Sequence, residues 1–478
     1  MPFLLILRIS AQPTEGKMTG FRQESKMPTY DLDTITVNNI GMFLTNYGSF
    51  AWDVTTGNPG LIFPWAEGTG TKTSVFASGL WIGAKVNGAI SIAAAEYSEE
   101  YVPGVMIDST FSPDHPRFRI YKIYGGDTTS YDYLNWPIGD GAPVDSNGKP
   151  LFLGDETLWA VFNDADPSAH INHAGSTSPV GVEVQQTTFA FDREVPLGNV
   201  IFVRFRIINK GPNTLDSTYI SVWSDPDVGD AMDDYVGCDI SSSLGFCYNA
   251  DNSDELYGLA PPCVGYDLLQ GPIVPGDSTD TAYVSGIPKP GYKNLHMVSF
   301  VKYINGTDPT SASETYNYMK GLNRDGTIII NPITGQPTTY MVSGDPVAGT
   351  GWLDANPSDR RMMLSSGPFT MVPGDTQEVV LAIILGLGAD RLASVTAMKY
   401  NDRCAQYFFD PNYIPYGDVN RDGVVGISDI VYLINFLYNG GPPPIPREVA
   451  DVNRDGIINL GDVVFLINYM YKNGPPPG

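Results

Sequence analysis

Two stretches near the C-terminus place oxygen-bearing side chains at a spacing that can do chemistry. Asp418, Asn420, Asp422 and Asp429 occupy positions 1, 3, 5 and 12 of the first stretch, and Asp451, Asn453, Asp455 and Asp462 repeat them 33 residues later. Calcium takes about six to eight hard oxygen ligands. A twelve-residue loop delivers them from positions 1, 3 and 5, a backbone carbonyl at 7, a side chain or water at 9, and a carboxylate at 12. Val424 offers the carbonyl in the first copy and Gly423 the sharp turn, parts that fall to Ile457 and Gly456 in the second. Position 9 differs. Asn459 adds a ligand to the second loop, whereas Gly426 leaves that place to water, so the first loop is expected to bind calcium more weakly.

A second concentration of acid lies mid-chain. Asp225, Asp227, Asp230, Asp233, Asp234 and Asp239 are followed by Asp251, Asn252, Asp254 and Glu255. Carboxylates crowded into one loop repel unless a cation joins them, so Asp225, Asp227 and Asp230 are expected to hold a further calcium ion. A solvated acidic loop and a catalytic acid pair are the alternatives. Asp325, in Asn323-Arg-Asp-Gly326, lacks a following helix and reads as a β-turn.

The elements around these residues follow from periodicity. Residues 31–215 alternate short apolar runs with Gly, Pro, Asn and Asp, the pattern of a β-sandwich. Strands are expected at 34–37, 75–83, 90–92, 181–191, 200–208 and 218–223. A second β region, 216–388, carries a strand at 379–385 and long polar loops at 225–280 and 305–360. Residues 389–410 show helical spacing at Leu392, Val395, Met398 and Ala405, and a short linker from Asp410 to Tyr416 leads into residues 417–478, where each acidic loop precedes one apolar helix. Residues 1–30 open with an apolar run, Met1 to Ile9, which reads either as a signal remnant or as a strand available for exchange with a neighbour.

Two Asp-x-Asn-x-Asp-Gly loops, each followed by a single helix and ending in Asp at position 12, resemble a type I dockerin. The resemblance covers 417–474 and implies a small helical calcium module that plugs into a cohesin-like domain on a scaffold or cell surface. Family recognition runs through Ser-Ser or Ser-Thr at loop positions 10 and 11, where this chain has Ile427-Ser428 and Leu460-Gly461. That departure points to a more apolar docking face, or to a face that packs on its own chain. The strings Phe76-Ala-Ser-Gly-Leu-Trp-Ile-Gly83, Leu158-Trp-Ala-Val-Phe-Asn-Asp164, Asp225-Pro-Asp-Val-Gly-Asp230 and Gly245-Phe-Cys-Tyr-Asn249 resemble large secreted β proteins of bacterial surfaces, a group of undefined activity, which implies an extracellular place for residues 35–385.

Composition limits what the chain can do. Its 53 acidic residues against 28 basic ones leave a formal charge of −25, which disfavours nucleic acid and anionic membrane as partners. No apolar run reaches the roughly 18 residues of a membrane span. Cys238, Cys247, Cys263 and Cys404 make an even count, and a disulfide between Cys238 and Cys247 is expected to staple the acidic loop. His170-Ile-Asn-His173 is the one close histidine pair and reads as a surface loop. The seven tryptophans, Trp52, Trp65, Trp81, Trp136, Trp159, Trp223 and Trp352, read as core more readily than as a sugar groove. No GxSxG, HExxH or P-loop is present, so the chain is not expected to be an enzyme, although a glycosidase needs only two carboxylates.

Together these observations predict a mainly β protein of one or two β-sandwich domains, followed by a small all-α dockerin-like module that binds Ca2+. The function expected is that of a secreted structural subunit assembling with copies of itself into a filament, sheath or surface layer. The alternative is a glycan-binding or glycoside hydrolase cargo held on a cohesin scaffold.

Overall fold

A computed structural model describes residues 30–65, 72–97, 100–107, 116–278, 280–410, 416–421, 425–444, 447–453, 457–472 and 477. The N-terminal apolar segment lies outside the described residues.

The protein is mainly β. Its twelve longer strands are β1 Ala77–Val86, β2 Ala89–Ala94, β3 Glu156–Asn163, β4 Val182–Ala190, β5 Val200–Asn209, β6 Leu215–Asp225, β7 Asp234–Asp239, β8 Leu244–Asn249, β9 Cys263–Gln270, β10 Ser299–Ile304, β11 Arg360–Met371 and β12 Thr376–Gly386. Four longer helices accompany them: α1 Ala312–Met319, α2 Arg391–Phe409, α3 Ile427–Tyr438 and α4 Leu460–Lys472.

The strands form two large antiparallel sheets. One runs β10-β11-β6-β1 and continues through short strands at Ser49–Phe50, Gly41–Thr45, Leu61–Ile62 and Thr73–Val75, with β2 beside β1. The other runs from Val102–Pro103 through β3-β4-β5-β12-β9-β8-β7. Both sheets draw strands from either side of residue 215, and that residue itself opens β6. The boundary expected at 215/216 therefore does not separate two sheets. The stretch 225–280, expected as a loop, supplies β7, β8 and β9. Its acidic residues masked the alternation, because several of them are buried and neutralised rather than solvated.

Alternation explains the layering. In β5, Ile201, Val203, Phe205 and Ile207 point into a core shared with Leu80, Ile82, Val222 and Leu364 of the other sheet. Phe50 and Phe205 meet across it with ring centroids 6.4 Å apart, and Ser78 Oγ lies 2.7 Å from the Tyr266 hydroxyl. The opposite face of β5 carries Val200 and Phe202, which pack with Val395, Met398 and Ala405 of α2. On the outside of the first sheet, Trp81 and Trp223 stack at 6.0 Å and pack with Tyr316, Tyr318 and Met319 of α1. Each fully buried aliphatic or aromatic side chain contributes about 1.5–3 kcal/mol to this arrangement.

Helix α2 starts where Asp390 caps it, accepting from the Leu392 and Ala393 backbone N–H groups at 3.0 and 2.8 Å. It lies close against β12 because Gly386 has no side chain. A methyl there would stand 2.1 Å from the backbone nitrogen of Met398, so Gly386→Ala has to push the helix off the sheet.

The expected disulfide does not form; all four cysteines are thiols. Cys238 lies opposite Gly245 and Cys247 opposite Val236, which sets the two cysteines diagonally across the β7–β8 ladder. Diagonal neighbours are roughly 7–8 Å apart, too far for the Cβ separation of about 3.5–4.5 Å that a disulfide needs. Cys247 faces the shared core and Cys263 the α2 side, so that pair is divided by the sheet itself.

Candidate metal centre

The position-12 carboxylates do the local work in the C-terminal module. Asp429 sits in the first turn of α3 and accepts from the Asn420 N–H through Oδ1 at 3.0 Å and from the Gly426 N–H through Oδ2 at 2.8 Å. Asp462 repeats this in α4. Its Oδ1 accepts from the Val452 N–H at 2.9 Å and its Oδ2 from the Asn459 N–H at 2.8 Å. Each carboxylate thus ties the front of its loop to the helix that follows, and the helix N-terminus favours its negative charge. Asp418, Asp429 and Asp462 are almost wholly buried. Burial pushes the Asp462 carboxyl above its ordinary range, and the charge of Asp451 adds to this.

Asn420 and Asp451 flank these groups at half-buried positions, as does Asn453, while the second-loop Ile457 turns its side chain to solvent. That outward side chain is what a residue contributing its carbonyl requires. Asn459 donates to the Ile457 carbonyl at 3.1 Å. Asp422, Val424 and Asp455 lie outside the described residues. The donor set that is described contains carboxylate and amide oxygens with no sulfur or imidazole, which fits a hard cation such as calcium. The two halves close on each other through Val419 and Val452, Ile430 and Val463, and Leu433 and Leu466, pairs that share the 33-residue repeat.

The mid-chain acids have a different geometry. Asp225, at the end of β6, and Asp227 bring carboxylate oxygens within 4.8 Å of Asp359, which precedes β11. Asp230 is not in this group. It caps a short turn by accepting from the Met232 N–H at 3.0 Å, and its own N–H donates to Asp254 at 2.8 Å. The third member, Asp359, is more than one hundred residues away in sequence, and only the sheet pairing of β6 with β11 brings it near.

A cation already stands among these three carboxylates. Arg361, itself buried, pairs with both Asp225 and Asp359, and the Tyr97 hydroxyl donates to Asp225. Burial, reinforced by Asp359, nevertheless holds Asp227 up at about 7, and burial with the neighbouring Asp227 raises Asp225 well above the carboxylate range. The remaining acids of this stretch serve the fold: Asp234 accepts from the Val228 N–H at 3.0 Å, Asp239 pairs with Lys399 at 2.8 Å, and Asp254 accepts from the Leu256 N–H at 2.8 Å.

His170 departs from the surface loop expected for it. It is buried with Nε2 2.9 Å from the Asp164 carbonyl and Nδ1 3.9 Å from Glu100, whereas His173 is half exposed and 3.6 Å from Glu96. Neither Glu100 nor Asp164 stood out in the sequence; a single buried acid carries no periodic signal. Of the tryptophans, Trp81, Trp136, Trp159 and Trp223 are buried, and Trp52, Trp65 and Trp352 are half-buried. Among the described residues no helix is long and apolar enough to cross a membrane.

Comparison with known proteins agrees with the loop geometry. No curated protein matches the chain. The family model described as the dockerin type I domain matches residues 416–471, which span both acidic loops and both helices that follow them. The chain therefore carries a type I dockerin domain behind its β body.

Proposed function

We propose that this is an extracellular calcium-binding protein whose body, a single β-sandwich built from the two sheets, is held on a cohesin-bearing scaffold by the C-terminal dockerin. One observation carries the reading. Ile427, Val431 and Tyr438 of α3 are all exposed, and so are Leu460, Val464 and Tyr471, their counterparts one repeat later in α4. Positions i, i+4 and i+11 fall within about 40° of one another around a helix, so each set forms a narrow apolar stripe away from the buried Ile430 and Leu433 side. Exposed apolar stripes of this kind mark a partner surface. The apolar residues at loop position 10, Ile427 and Leu460, are part of it.

Calcium, when bound, neutralises the clustered carboxylates of each loop and fixes its shape. The chain's own part is to join loop to helix through Asp429 and Asp462, and so to hold the two stripes in place. The body is proposed to be non-catalytic, because its clustered acids, buried or half-buried, are paired with Arg361, Lys399 or one another. The N-terminal apolar segment, one of the grounds for the filament expected from the sequence, lies outside the described residues. The scaffold-bound reading rests on the dockerin.

The test is calorimetric binding of the full chain to a panel of cohesins in calcium and in chelator. Binding is expected in calcium alone, lost also in Asp418→Ala with Asp451→Ala. It should be weakened about a hundredfold when Val431→Asp and Val464→Asp are combined, a loss of the size that buried interface anchors carry. Failure to bind any cohesin, or full affinity with both stripes charged, would overturn the reading.

A further inference from the structure

A different acid pair lies beneath α2. Asp267 projects from β9 and Asp402 from α2, and the two are 0% and 1% exposed. Gln406 lies between them, its Nε2 donating to Asp267 Oδ2 at 2.9 Å and standing 3.4 Å from Asp402 Oδ2, and it also reaches the Ser242 carbonyl at 3.2 Å. The other oxygen of each acid is buried without a hydrogen bond from any N–H or hydroxyl. Were both ionised, two like charges would face each other in a dry site with acceptors left over. One proton held between them lets the protonated acid donate to its neighbour, and a second leaves the buried site uncharged.

The surrounding charges do not supply an alternative. Lys399, on α2, is engaged by Asp239 at 2.8 Å and also feels Asp345 and Asp402, so its charge is shared among three acids, while Asp239 adds negative charge toward the pair. Arg403 acts on Asp402 from the next residue of α2 and only partly offsets this. The ladder neighbours of Asp267 are Leu244 and Ala382, which carry no charge. Beside the pair is a cavity of about 70 Å³, bounded by Lys399, Asp402 and Arg403 on the body and by Tyr416, Val425 and Tyr469 of the dockerin.

We propose that Asp267 and Asp402 form a proton-held clamp between β9 and α2, which loosens α2 and the adjoining seat of the dockerin when the pair gives up the first of its two protons and a negative charge is left beneath the helix. Burial holds Asp267 up at about 7 and Asp402 well above the usual range, and the two titrate as a unit. Linkage sets the sign. Because Asp402 keeps its proton beyond about 7, the step there takes the pair from two protons to one. The folded state binds the extra proton between the ordinary carboxyl range, about 4, and about 7, so its contribution is full below about 4 and is lost progressively as pH rises to about 7.

Hydrogen exchange of the calcium-loaded full chain between pH 5.5 and 8.5, corrected for intrinsic rates, tests this on peptides from Arg391–Phe409. Protection of α2 in the wild type is expected to fall about thirtyfold between pH 5.5 and 7, tenfold per pH unit, and to level off above that. In Asp267→Asn, which removes the acid held at about 7 and keeps an amide donor toward Asp402, it should stay level. Level protection in the wild type, or an equal fall in the variant, would overturn the clamp. If that variant does not fold, a carboxyl-carbon NMR titration of wild-type protein with labelled aspartate decides the matter. A shared step near pH 7 supports the clamp, and ordinary titration of both acids near pH 4 overturns it.

Discussion

In the dockerin, the acids that come together are neighbours in sequence. Asp418 and Asp429 belong to one twelve-residue loop, as do Asp451 and Asp462, and both loops are written in the same order. In the body, acids meet across more than one hundred residues: Asp225 with Asp359, and Asp267 with Asp402. The difference extends to how charge is compensated. The loops present oxygen donors to a cation from solution, whereas the body carries its own compensation in Arg361, in Lys399 and in protons kept by burial. A local acidic loop folds around its metal, while a non-local cluster has to be neutral before the sheets can close over it.

This contrast can be broken at the body first. Arg361→Met leaves the buried Asp225 and the half-buried Asp227 and Asp359 without their cation, and breaking a buried pair costs about 3–5 kcal/mol. The expected result is a large fall in the body's melting temperature with the dockerin's transition unmoved, read by calorimetry in saturating calcium. A fall of under about 1 kcal/mol would mean that the cluster is solvated and that Arg361 is a surface ion pair.

The smallest expected effect concerns the cysteines. Since Cys238, Cys247, Cys263 and Cys404 are all thiols, adding reductant should leave both transitions where they are, and thiol titration in denaturant should find all four reactive. A reductant-sensitive melting temperature would show that a disulfide forms after all, a bond worth about 2–4 kcal/mol.

The legibility of the molecule divides along the same line. The dockerin was legible as a domain, because its repeat spacing and helix starts are local, although Asp422, Val424 and Asp455 lie outside the described residues. The strands β4 and β5 were readable from alternation, β1, β6 and β12 from short apolar runs of strand length, and α2 from its apolar spacing. What could not be read is what the fold assembles at long range. Asp230 looked equivalent to Asp225 and Asp227, yet it turned into a cap, and Asp359 took its place because β6 pairs with β11. The strand β7 was hidden by its acidic ends, Asp234 and Asp239, and β8 by its polar end, Asn249, which the fold buries or pairs. His170 looked like a loop residue because nothing nearby in sequence announces Glu100.

The most direct test of this account is differential scanning calorimetry of the full chain in millimolar calcium and after chelation. Two transitions are predicted in calcium. Chelation should abolish the smaller, belonging to the dockerin, and leave the larger, belonging to the β body, in place. A body transition that drops on chelation would make Asp225, Asp227 and Asp359 a calcium site in spite of Arg361, and a dockerin transition that survives would contradict the metal-dependent fold assigned to its loops.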